Sequence, residues 1–193
     1  MQKTAILNME KRIRPNKGAN KLLRSNGYLP ANIFGKGAES ISIAVKKNDF
    51  LKSLKEYGRN AVFKLVSNDD EAYTVMAKEI QVAPIVNEIQ HLDFQLVSLS
   101  EEINQEVAIK YIGTEFLELK RLLLNSHVDS IIVNGLPHDI PHEIEIDVSS
   151  MESGESILFG DLKLPDGITA DIDPEQKIIS IKGTRKQEAV TTE

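Results

Sequence analysis

His91-Leu92-Asp93-Phe94-Gln95-Leu96 changes from polar to apolar at every step, the period-two signature of a strand with one buried face. Ile41, Ile43 and Val45 alternate in the same way with Ser42 and Ala44, and Tyr73, Val75 and Ala77 with Thr74, Met76 and Lys78. Between two such runs, Ser67-Asn68-Asp69-Asp70 reads as a hairpin connection. The first half of the chain is therefore expected to form a small antiparallel barrel or curled sheet.

Two short helices interrupt these strands. Asn48 is expected to cap a segment in which Phe50, Leu51, Leu54 and Tyr57 share one face and Gly58 ends the turn; this is ordinary core packing. The other helix runs from about Lys17 to Asn26 and stops at Gly27. At about 100° per residue, Lys17, Lys21 and Arg24 form one stripe with Asn20 on its flank, and Leu22 and Leu23 point toward a core.

The polar, acidic stretch 98–104 reads as a linker. Beyond it, Val107, Ile109 and Tyr111 alternate with Ala108 and Lys110, and 127–133 and 143–148 are further strands. Residues 160–167 suggest a strand or short extended piece ending in a Pro-Asp-Gly turn. The expected class is mainly β with short helices: an N-terminal β-barrel domain over 1–97, an acidic β-rich domain over 98–184, and a flexible tail over 185–193.

Charge divides along the same line. Eight of the first 36 residues are Lys or Arg, opposed only by Glu10, in a chain of formal net charge −6. Residues 1–95 hold 15 basic and 10 acidic side chains, whereas 96–193 hold 8 and 19. Such a split implies that one part meets a polyanion while the other stays off it, and nucleic acid is the obvious polyanion. Aromatic residues are few, with six Phe, four Tyr and no Trp. That argues against a sheet that stacks single-stranded bases on exposed rings, and for recognition of a folded RNA through its backbone and grooves.

Composition excludes other classes. With no cysteine there is no disulfide, thiolate metal site or thiol nucleophile. Apolar runs such as 122–124 and 131–133 are too short to span a bilayer, and the first residues lack a secretory signal's apolar core. A cytoplasmic protein with no membrane partner and no cofactor is expected.

Three groups of residues could carry chemistry. The basic stripe of Lys17, Lys21 and Arg24, joined by Arg12 and Arg14 in the preceding loop, is either a phosphate-binding face or a solvated helix surface. Few acidic residues accompany it, which favours the former. His91 and Asp93 share one strand face, as a structural hydrogen bond, as two ligands of a metal site that lacks a third, or as a pair reading a base edge or 2′-hydroxyl. Glu143, Glu145 and Asp147 alternate with Ile144, Ile146 and Val148 in the ordinary pattern of a half-exposed strand; acid–base catalysis is the rival reading. His127, His138 and His142 are scattered, and Gly35-Lys36-Gly37 lacks phosphate-loop spacing.

Lys17-Gly18-Ala19, Leu23-Arg24, Gly27-Tyr28-Leu29-Pro30-Ala31 and Ile33-Phe34-Gly35 together resemble the opening of a bacterial large-subunit ribosomal protein family, CTC, the long form of protein twenty-five. Gln81-Val82-Ala83-Pro84 and Gln90-His91-Leu92-Asp93-Phe94 resemble its next blocks. Pro137-His138-Asp139-Ile140-Pro141, Glu145-Ile146-Asp147-Val148-Ser149 and Gly160-Asp161-Leu162-Lys163-Leu164-Pro165 resemble its second domain. The resemblance spans about residues 3–183.

It implies a structural constituent of the large ribosomal subunit, not an enzyme. Its N-terminal barrel would bind 5S ribosomal RNA and be similar to the anticodon-binding barrel of glutaminyl-tRNA synthetase. The acidic second domain would project from the RNA or face a basic neighbouring ribosomal protein. The implied RNA contacts are Arg12, Lys17, Arg24, His91 and Asp93, with Asp93 orienting His91 toward the minor groove. The charge pattern and the family's blocks extend the candidate set to Arg14, Asn20, Lys21 and Phe34. Where the family usually carries a tyrosine this chain has Phe34, and Arg121-Leu122 replaces a common glycine pair. Leu22-Leu23 replaces a more basic pair of some relatives, leaving more of the affinity to Lys21 and Arg24. An RNA-binding stress factor working off the ribosome is the alternative that the sequence leaves open.

Overall fold

The computed structural model describes residues 4–12, 16–35, 37–67, 71–165 and 167–183. Alternation organises the first part. Strands β1 (Ala5–Lys11), β2 (Tyr28–Gly35), β3 (Ala38–Lys46), β4 (Val62–Ser67), β5 (Ala72–Ala83) and β6 (Glu88–Leu96) close into a barrel in the order β1-β3-β2-β6-β5-β4. Their inward side chains, among them Leu7, Met9, Ala31, Ile33, Ile43, Val45, Leu65, Val75, Ala77 and Leu92, are buried in one core.

Helix α2 (Lys47–Tyr57) inserts Phe50 into this core. There its ring meets Phe63 and Phe94 at centroid distances of 5.9 and 6.1 Å, and Phe63 meets Phe94 at 6.0 Å. Burying three rings in mutual edge or tilted contact favours one packing over alternatives. The cap expected at Asn48 is not formed. Strand β3 runs into α2 without a loop, so Lys46 takes the cap position with no side-chain hydrogen bond and Asn48 lies inside the helix. Leu51, expected on the buried face, is exposed.

The barrel is not purely antiparallel. Strand β1 runs parallel to β4, with Leu7 opposite Leu65, and β2 runs parallel to β6, with Asn32 opposite Asp93. Parallel neighbours need long crossovers, which are invisible to local alternation. The hairpin expected around 67–70 does join antiparallel strands, with Val66 opposite Ala72; Asn68, Asp69 and Asp70 lie outside the described residues.

Contacts divide the chain into two compact units: Met1–Gln105 with Leu136–His142, and Glu106–Gly135 with Glu143–Glu193. In the first unit, buried Gln105 donates to Asn60 Oδ1 (3.2 Å) and to the Ala77 carbonyl (3.0 Å), while Asn60 donates to the Pro141 carbonyl (3.0 Å). The end of the expected linker is thus already strand, β7 (Ile103–Ile112), with Ile103 buried.

The second unit is also β-rich. Strands β10 (Glu143–Asp147), β7, β9 (Ser130–Gly135) and β12 (Ile168–Thr169) form one sheet in that order. Strands β11 (Ser156–Leu158), β13 (Lys177–Gly183) and β8 (Leu122–Ser126) form another. Residues 127–133 are not one strand, because the chain bends at 127–129, where Ser126 Oγ donates to Asp129 Oδ1 at 2.6 Å. Residues 160 and 161 belong to a single 3-10 turn, Phe159–Asp161, rather than to a strand; the Gly160 N–H donates to the Pro174 carbonyl at 2.9 Å, and Leu162 leaves the turn extended. Asp166 of the expected turn and the tail 185–193 lie outside the described residues. A six-residue helix, α3 (Thr114–Leu119), escapes sequence reading because only Leu117 on it is buried, whereas Phe116 and Leu119 are exposed.

Two backbone positions generate tests. Gly58 has φ 80° and ψ 173°, and a Cβ there would come within 2.6 Å of the His142 ring. Gly58→Ala is expected to cost about 3 kcal/mol or more, read by chemical denaturation, because only glycine is at ease in that region. Arg121, where the resemblance implies a glycine, has φ 57°. Arg121→Val is expected to unfold at lower denaturant than Arg121→Gly, by about 1–2 kcal/mol, since the left-handed region penalises branched side chains.

Candidate nucleic-acid interface

Helix α1 (Lys17–Ser25) links β1 to β2 and lies against β2. Asn16 caps it by accepting from the Ala19 N–H at 2.7 Å, and Gly27, with φ 81°, follows its end. No α1 residue is fully buried, and Leu22 is 64% exposed. The expectation that Leu22 faces a core is therefore wrong: the helix rests on the barrel's outside, where only Ala19, Asn20, Leu23 and Arg24 are partly shielded. Outward-alternating Pro30 on β2 is nonetheless buried.

The candidate cations fall into two kinds. Lys17 and Lys21 are exposed on α1. Arg12 and Arg24 are half-buried and held. Arg12, at the end of β1, donates from Nη1 to Asn20 Oδ1 at 2.8 Å, and its backbone N–H donates to the Ser42 carbonyl at 2.9 Å. Burial draws its guanidinium below the ordinary arginine pKa, but far too little to discharge it. Its Nε is buried without a hydrogen-bond partner. Arg24 donates from Nη1 to the Gln90 carbonyl of β6 at 3.4 Å. Among the described residues, none of these four cations has a carboxylate partner. Arg14 lies outside the described residues.

The strand pair sits on the same outer surface. Leu92 and Phe94 are fully buried, so His91 and Asp93 alternate outward. His91 Nδ1 is buried and unpaired, 3.6 Å from Asp93 Oδ2, and both side chains are about a fifth exposed (20% and 24%). That distance is beyond a hydrogen bond, so the carboxylate faces the ring edge rather than gripping it. Phe34 on β2 is 36% exposed, opposite Gln95 of β6. Gly35 beside it allows close strand approach, since a Cβ there would meet Leu96 Cβ at 2.7 Å.

The fold ties Arg12, at the end of β1, to Asn20 of α1, and ties Arg24 of α1 to Gln90 of β6, the strand that carries His91 and Asp93. Sequence reading passes over the groups that hold them: Asn16, Ser42 and the Gln90 carbonyl. An Asn before the stripe was the visible signal for the cap; the other two depend on strand neighbours.

The rival carboxylates are differently disposed. Lys110 on β7 contacts Glu143 at 2.5 Å and Glu145 at 3.5 Å, and the two carboxylates raise the Lys110 pKa. The Ser149 N–H holds Asp147 low. Among the described residues no group of three or more His, Asp or Glu could hold a metal ion, and no helix is long and apolar enough to cross a membrane.

A barrel with a cation-bearing outer face and a separate acidic β unit corresponds to two ribosomal families. The Ribosomal L25p family matches residues 7–94, and the C-terminal domain of ribosomal protein TL5 matches residues 102–185. The chain is 72% identical to the large ribosomal subunit protein bL25 of Lachnoclostridium phytofermentans over the full length of both. It is 35% identical to that of a Thermoanaerobacter species (89% of this chain, 86% of the relative) and 32% identical to that of Oceanobacillus iheyensis (97% and 86%). The chain belongs to the bL25 family of large-subunit ribosomal proteins; it is not an enzyme, and its place is the ribosome in the cytoplasm.

Asn16→Ala is expected to cost about 0.5–2 kcal/mol of helix stability. Because α1 buries no residue fully, the loss should appear as faster hydrogen exchange at the α1 amides, with barrel amides unchanged.

Proposed function

We propose that this protein binds 5S ribosomal RNA within the large subunit through the outer face of its barrel. Arg12, Arg14, Lys17, Lys21 and Arg24 meet phosphates, with Asn20 fixing Arg12. His91 and Asp93 present groove-side hydrogen bonds, and Phe34 offers a ring edge without the hydroxyl of the family's usual tyrosine. The carrying observation is that Arg12 and Arg24 are held by neutral oxygens, Asn20 Oδ1 and the Gln90 carbonyl, with no neutralising carboxylate among the described residues. A guanidinium held this way keeps its charge available to an external anion and has already lost part of its rotamer entropy.

The ring position of His91 supports the same reading. With Nδ1 turned toward Asp93, Nε2 is the nitrogen left for a 2′-hydroxyl or base edge. The rRNA-binding domain is 1–97. The acidic domain 98–184 stands clear of RNA by repulsion or faces a basic neighbouring protein of the subunit. The relatives are ribosomal proteins, which gives no support to a stress factor working off the ribosome.

If about five phosphates are neutralised, log K for 5S RNA should fall with log salt at a slope of about −3.5 to −4.5. Lys21→Glu with Arg24→Glu should abolish binding in a gel-shift titration against transfer-RNA competitor while thermal melting stays near that of the parent. Unchanged affinity of a folded double variant would remove the proposal's main support.

A further inference from the structure

Strand β2 carries an outward side chain that neither the basic stripe nor the His91/Asp93 pair includes. Asn32 lies between buried Ala31 and Ile33, and so alternates onto the outer face. Its register partners are Ser42 on β3 and Asp93 on β6. Ser42 Oγ donates to Asn32 Oδ1 at 3.2 Å. Ser42 is also the residue whose carbonyl receives the Arg12 N–H. One step further across the barrel, Glu79 of β5 is opposite Asp93. Adjacent strands thus carry Arg12, Ser42, Asn32, Asp93 and Glu79 side by side across the outer face.

The chemistry of Asn32 is fixed by what already holds it. Its carbonyl end is engaged by Ser42, which sets the direction of the amide and turns Nδ2 away. No acceptor for Nδ2 is found among the described residues, and the residue is only half-buried. A planar amide with a committed oxygen and two available N–H groups is a donor. An RNA minor groove presents acceptors: 2′-hydroxyls, purine N3 and pyrimidine O2. Immediately beside the amide, Asp93 is acceptor-only when ionised. Neighbouring strands stand about 4.8 Å apart, so the two side chains make an adjoining donor and acceptor.

We propose that Asn32 is a groove-reading residue of the 5S RNA site, donating from Nδ2 to a minor-groove acceptor, and that Ser42 positions it. This rests on the preceding reading of the barrel face and adds a specificity-determining contact to it. Asn32 carries no charge, so its contact releases no counterion, and its contribution is independent of salt.

The full-length protein and a 5S RNA transcript, titrated by filter binding across a salt series, test this. Asn32→Ala and the strand-favouring Asn32→Val should each weaken binding by about 5- to 10-fold, with the salt slope and melting temperature unchanged. Ser42→Ala should weaken it less, and the double variant Asn32→Ala/Ser42→Ala should bind like Asn32→Ala alone, because Ser42 acts through the amide. Parent-like affinity of both Asn32 variants, or a shallower salt slope, overturns the inference. Losses at 32 and 42 that add independently overturn the positioning role of Ser42. Lys21→Glu with Arg24→Glu separates the two readings: if it abolishes binding while the Asn32 variants bind normally, only Asn32 is wrongly assigned. If it too binds normally, the face itself is.

Discussion

Closure of the barrel by the parallel pairing of β1 with β4 is the constraint on which the rest depends. Once Leu7 stands opposite Leu65, every strand has a neighbour on both sides and the sheet has no free edge. Inside and outside then become fixed properties of each position, because a slip of one residue would exchange them. Phe50, Phe63 and Phe94 fill the interior, and their burial penalises any register that moves one of them. The outer face inherits this rigidity. Arg12, Ser42, Asn32 and Asp93 are far apart in the chain, yet they are adjacent because strands β1, β3, β2 and β6 are.

The cations on that face are not equivalent. Lys17 and Lys21 project into solvent from a helix that contributes little to the core. They suit long-range attraction of a polyanion, where flexibility costs little. Arg12 and Arg24 are tied back to Asn20 and Gln90, and suit contacts whose geometry matters. The division follows from residue type: a planar guanidinium can bond the protein through one nitrogen and keep others for a partner, whereas an ammonium is a point charge on a flexible stem. In the second unit, carboxylates outnumber cations, and Lys110 is paired with Glu143 and Glu145, so that cation is neutralised locally.

Strand identity was legible wherever alternation was strict, as in β10 and in β6 from His91 to Gln95, because half-buried strands force a period of two. Ends and bends were not. The break at 127–129 depends on a Ser126–Asp129 hydrogen bond, and α3 buries too little to leave a helical pattern. Leu22 shows the same limit: helical periodicity places it opposite the basic stripe, but a nine-residue helix lying on a barrel has no second layer to cover that side. The stripe of Lys17, Lys21 and Arg24 was readable from spacing alone, and so was the shared face of His91 and Asp93.

The amino-acid sequence determined the mainly β class, the division of charge between the halves and the spacing of the basic residues on α1. These are local or additive quantities: alternation, spacing and counted charge. Tertiary structure decided the parallel pairings, the exposure of Leu22, the anchoring of Arg12 by Asn20, and the meeting of Ser42, Asn32 and Asp93. Each depends on which strands become neighbours, and that is set by burying a common core rather than by any stretch of chain read alone.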